Sequence, residues 1–146
     1  MAVYLGDLLD LKEPLAALKA NKLVFKKYAN LGDYRVFITP LSASFQSVKG
    51  SNNYKSVKIF HGGFQNVTVA EFLEVLGNAA PIDVVLPLTE DTSFNEKTGF
   101  KSQVRCIRKS LSFLDKTLHA RKQGPLNRDC KIFGWIHGSR KQELTL

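Results

Sequence analysis

The chain has 146 residues, of which 44% are hydrophobic, enough for one domain with a substantial core. Lys and Arg number 21 against 13 Asp and Glu, a net charge of +8 with a pI near 9.6, which fits either an anionic partner (tRNA, another nucleic acid or an acidic protein surface) or a basic surface with no dedicated partner. Cys106 and Cys130 stand far apart with no CxxC spacing, so neither a disulfide framework nor a zinc motif is indicated, and reduced thiols in a cytosol-like compartment fit best. No apolar run is long enough to span a bilayer, and Asp7 and Asp10 follow the start too closely for a signal peptide.

In chain order, residues 6–22 predict a helix, with Asp7 and Asp10 early, Lys19 and Lys22 late, and leucines along its length. Pro14 fits the first turn of the main helix, with 10–13 as lead-in. Residues 24–28, basic and aromatic, read as a helix end packed on the core. Residues 34–39 are β-rich and stop at Pro40; 41–53 are Ser-, Asn- and Gly-rich and read as loop. Residues 54–60 and 64–67 form a hairpin about His61-Gly62-Gly63, with His61 read as a polar turn residue rather than a functional imidazole, the alternative reading. Thr68 with Glu71 three residues on is a capping box, opening a helix that Gly77-Asn78 would end. Residues 82–86 are a buried strand. Its tip, 87–93, contains Glu90-Asp91, which reads as a solvated loop.

A long basic helix begins near Lys101. Val104, Ile107, Leu111, Leu114 and Leu118 recur at steps of three and four and are expected to face the core. Lys101, Arg105, Arg108 and Lys109 fall on the other faces, where they are candidates for phosphate contact. Gly124-Pro125 ends the helix. Residues 130–136 form an apolar strand whose tip is His137-Gly138-Ser139, the carboxyl end where α/β sheets place ligand chemistry. Residues 139–146 read as the opening of another helix. The order α β β β α β α β mixes parallel units with a hairpin. It predicts a single α/β domain over 1–146, either a partial (β/α) barrel with a β-hairpin insertion or a chain completed by a partner.

Four blocks, in order and with matching gaps, carry a resemblance. They are Val57-Lys58-Ile59-Phe60-His61-Gly62-Gly63 with the Thr68 helix, the strand Ile82-Asp83-Val84-Val85-Leu86, the run R-C-I-R-K-S-L-S-F-L-D from Arg105 to Asp115, and Ile132-Phe133-Gly134-Trp135-Ile136-His137-Gly138. Over residues 50–145 the chain resembles the tRNA-guanine (queuine) transglycosylase family, and within it the non-catalytic accessory subunit most closely; the match over 1–53 is weaker. The resemblance implies a TIM barrel concerned with exchanging guanine for queuine in the tRNA anticodon. Its catalytic pattern uses two aspartates and a zinc-bearing C-terminal insertion.

Departures from that pattern are chemical. Thr89 stands where the pattern has a base-recognising aspartate, Leu41 stands before the loop 42–46 where it has an acid, and Ile136-His137-Gly138 replaces a Gln-Gln-Gly tip. Neither Thr nor Leu can carry the negative charge that base exchange needs. The nucleophile's strand and the family's zinc site would lie beyond Leu146, so no cofactor is expected in this chain. The resemblance therefore implies a non-catalytic subunit that pairs with the catalytic queuine tRNA-ribosyltransferase subunit as a heterodimer and touches tRNA. It would lie in the cytoplasm or peripherally on the mitochondrial outer membrane. His137, Gly138 and Thr89 are the candidate substrate-binding positions. The competing reading is a stand-alone basic α/β module that binds RNA.

Overall fold

The computed structural model describes residues 2–31, 34–40, 55–89 and 99–135. Eleven elements follow one another among them. They are β1 (Ala2–Tyr4), α1 (Leu5–Asp10), α2 (Lys12–Ala20), α3 (Phe25–Tyr28), β2 (Phe37–Thr39), β3 (Ser56–Phe60), β4 (Phe64–Thr68), α4 (Val69–Ala79), β5 (Val84–Val85), α5 (Phe100–Gln123) and β6 (Lys131–Ile132). The expected loop 41–53, the acidic pair Glu90-Asp91 and the terminal helix start at 139–146 lie outside the described residues.

Four strands make a parallel sheet in the order β1-β2-β5-β6. The register sets Val3 opposite Ile38, Ile38 opposite Val85, and Val85 opposite Ile132. Each strand lies beside the next one of the sheet in sequence, with helices in every connection. The fold is thus mixed α/β, as the sequence predicts. The strands are shorter than expected: the run 82–86 contributes two paired residues and the run 130–136 contributes two. β1 went unread in the sequence, because three residues are too few to show a period of two.

The helix expected over 6–22 is two helices that break at Leu11, and Pro14 sits in the first turn of the second, where its missing N–H costs nothing. α3 anchors itself through Phe25, which is buried, while Tyr28 is exposed. The capping box is present: Thr68 Oγ1 accepts from the Glu71 amide at 3.1 Å, and the Thr68 amide donates to Glu71 Oε2 at 3.2 Å. Gly77 does not end α4. It is buried inside the helix, and a Cβ there would lie 2.7 Å from the Pro125 ring. The turn after α5 packs on that bare spot, so Gly77 serves close approach. Gly124, at φ +88°, ends α5 as expected.

The core between sheet and helices includes Leu8, Leu15, Ile38, Phe72, Leu76 and Phe113. Polar side chains fix the strand ends. Asn127 accepts from the Ile82 amide at 2.9 Å and donates to the Ile82 carbonyl at 3.0 Å, clamping the entry to β5. Asp83 accepts from the Val36 amide at 2.7 Å and from Lys26 Nζ at 3.3 Å. The Val36 amide is the main cause holding the Asp83 carboxyl below its usual range; partial burial opposes this, and Lys26 and Arg35 add attraction.

α5 departs from the expected packing. Its buried residues are Gln103, Cys106, Ile107, Lys109, Ser110, Phe113, Thr117 and Ala120. Of the predicted stripe only Ile107 is buried; Val104, Leu114 and Leu118 are half-buried, and Leu111 is 47% exposed. The helix is turned about one residue, roughly 100°, from the orientation read from its leucines. Phe113 decides the turn. It is larger than any aliphatic side chain on the helix, and it joins the core cluster almost fully buried.

Candidate functional site

In a parallel sheet the carboxyl ends of the strands share one rim, and α1, the β3–β4 hairpin and the segment after β5 all emerge there. Two groups of polar side chains sit on this rim.

The first group is buried, between β5, the base of the hairpin and α5. Thr89 is 5% exposed, and its hydroxyl shares a hydrogen bond with Ser110 at 2.9 Å. Lys109 is fully buried; its ammonium donates to the Ser56 carbonyl at 3.0 Å and lies 5.9 Å from the centre of the Phe113 ring. Beyond the end of β5, Trp135 Nε1 donates to the Pro87 carbonyl at 2.6 Å. Neutral hydroxyls in the Thr89–Ser110 pair can orient a partner by hydrogen bonding but cannot hold negative charge at neutral pH.

The second group gathers around His61 at the hairpin tip. Its Nε2 lies 2.6 Å from Asp10 Oδ2, and its Nδ1 lies 4.0 Å from Asp7 Oδ1. The ring meets Tyr4 at a centroid distance of 5.6 Å and a tilt of 54°. It also lies over Gly6, where a Cβ would come within 2.6 Å of His61 Cγ. The tip turns through Gly62 and Gly63, both at positive φ, which L side chains rarely adopt. The carboxylates of Asp7 and Asp10 are both mostly exposed and meet on the imidazole.

Of the residues singled out in the sequence, Lys101 and Arg108 are exposed on α5 and Arg105 is half-buried. Lys109 does not join them: it faces inward, because the rotation of α5 puts it beside Phe113. Thr89 likewise is buried beside Ser110. His137 and Gly138 lie outside the described residues. Sequence reading passed over the environment of His61. Its carboxylate partner is 51 residues away, and no local spacing signals such a contact.

A further basic feature lies at the other end of α5, near the entry to β6. An open cleft of about 730 Å³ is lined by Leu118, Arg121, Lys122, Gln123 and Arg128. Arg121 also donates to the Cys130 carbonyl at 3.2 Å. Burial pushes the Cys130 thiol up to about 11, against the opposing pull of Arg121.

Among the described residues, no group of three or more His, Cys, Asp or Glu is arranged to hold a metal ion, and no helix is long and apolar enough to cross a membrane. No family model and no curated protein matches this chain.

Proposed function

We propose that this chain is the non-catalytic accessory subunit of a queuine tRNA-ribosyltransferase, or a piece of it. In this reading the chain contributes consecutive units of a (β/α) barrel, pairs with the catalytic subunit, and supports the exchange of guanine for queuine in the tRNA anticodon. One observation carries the reading. The sheet runs β1-β2-β5-β6, all parallel and without reversal, and the hairpin is inserted on the carboxyl-end side between β2 and α4. A barrel uses that sequential order, whereas a doubly wound sheet reverses it at a switch point.

The chemistry of Thr89 supports the non-catalytic half of the proposal. At the position where the resembled catalytic pattern has a recognising carboxylate, this chain has a hydroxyl tied to Ser110. A neutral hydroxyl does not supply the negative charge that a carboxylate would bring to that position. Lys101 and Arg108, exposed on α5, are the remaining candidates for tRNA phosphates from the original four, together with the half-buried Arg105.

Affinity purification of the tagged chain, followed by mass spectrometry, tests this directly. The expected outcome is recovery of a transglycosylase catalytic subunit, with no incorporation of labelled guanine into tRNA by the chain alone. Base exchange by the isolated chain, or purification without that partner, would overturn it. The cleft lined by Arg121, Lys122 and Arg128 favours a second reading, a module that binds RNA by itself. Salt-dependent RNA binding without a protein partner would select it.

A further inference from the structure

The β3–β4 hairpin is held at two places of different character. At its base, Val57, Ile59 and Val67 are buried in the core, and buried Lys109 donates to the Ser56 carbonyl. Toward its tip the burial ends: Phe64, Gln65 and Asn66 are exposed. There, His61 reaches across to α1 and bonds Asp10, a carboxylate that is 64% exposed.

We propose that this hairpin is a lid over the carboxyl end of β1, hinged at its base on the core and latched at its tip by the His61–Asp10 pair. The latch has a built receptacle on the opposite element. Tyr4, the last residue of β1, presents its ring to the imidazole, and Gly6, in the first turn of α1, leaves the space that the imidazole occupies. Asp7 adds a second carboxylate facing the other ring nitrogen. On the lid itself, Gln65 Nε2 donates to the His61 carbonyl at 3.1 Å and holds the turn in shape as it moves. A buried apolar base and a solvent-reached polar tip open with different free energies, so the tip swings while the base stays in place. Opening uncovers Tyr4 and the first turn of α1 at the end of the sheet where ligands of parallel α/β folds bind. The lid is independent of the accessory-subunit reading.

Hydrogen exchange of the full chain measures the latch. In Asp10→Asn and His61→Gln, amides of residues 60–66 are expected to exchange about three- to tenfold faster, because a charge-assisted bond at a partly exposed site is lost. Amides of residues 56–59 and 67–68 are expected to keep their wild-type rates. Gly6→Ala presses a methyl on both the imidazole and the Tyr4 ring, so it is read by the ratio of tip to base exchange, which is expected to rise and which separates the latch from general destabilisation. Unchanged tip exchange in all three variants would overturn the proposal. So would acceleration of tip and base by the same factor.

Discussion

The Lys109 ammonium lies 3.0 Å from the Ser56 carbonyl, joining the middle of the long helix to the first residue of the hairpin. Both groups are buried. Taking an ammonium out of water is costly unless acceptors replace the water, and the Ser56 carbonyl and the Phe113 ring face supply part of that replacement. Lys109 therefore fixes how the hairpin sits on α5, a role opposite to that of a surface cation.

Lys109→Met keeps most of the side-chain volume and removes the charged donor. We expect a loss of about 1–3 kcal/mol in urea-induced unfolding. Lys109→Ala also leaves a cavity beside Phe113, and the total is expected to reach about 3–5 kcal/mol.

The orientation of α5 makes Phe113 and Leu111 a discriminating pair. Phe113 is 1% exposed and Leu111 is 47% exposed. Phe113→Ala is expected to cost about 3–5 kcal/mol, and Leu111→Ala less than about 1 kcal/mol. If the leucine spacing alone determined the buried face, Leu111→Ala would be the more damaging change.

If the exposed cations of α5 contact tRNA phosphates, each contributes to counterion release. Removing Lys101 or Arg108 is expected to reduce the slope of log affinity against log salt by about one. Folded Lys109→Met is expected to leave that slope unchanged. Filter binding across a salt series measures all three variants.

Asp83 sets a sign for acid stability. Its carboxyl is held below its ordinary value of 3.8 in the folded chain, chiefly by the Val36 amide. The folded state thus releases the proton more readily than the unfolded state. The stabilisation is present above the unfolded pKa and is lost as pH falls through the folded one. Asp83→Asn is expected to lower stability by about 1 kcal/mol at neutral pH, since the site is partly exposed. It is also expected to flatten the acid limb of a thermal-melt pH profile.

Cys130 acts at the opposite end of the pH scale. Burial raises its thiol from 9.0 to about 11. The unfolded chain ionises first as pH rises, so the contribution of Cys130 to stability falls between those two values. Comparing Cys130→Ala with wild type across that range isolates the effect from other groups. The native thiol is expected to alkylate slowly at pH 8, because little thiolate forms.

By itself the sequence determined the features whose physics is local. The box at Thr68 and Glu71 needs only a spacing of three, the turn at Gly62-Gly63 needs only freedom at positive φ, and Gly124 ends a helix with its own backbone. The parallel α/β class followed from helices alternating with apolar runs. Tertiary structure decided everything that required knowing who meets whom. It turned α5 so that Phe113 rather than Leu111 entered the core, drew Lys109 inward, and brought His61 to Asp10 across 51 residues. Periodicity reports that a helix has an apolar side, but two adjoining stripes satisfy the same period. The choice between them is made by the volume of the largest side chain against a sheet whose shape no local pattern encodes.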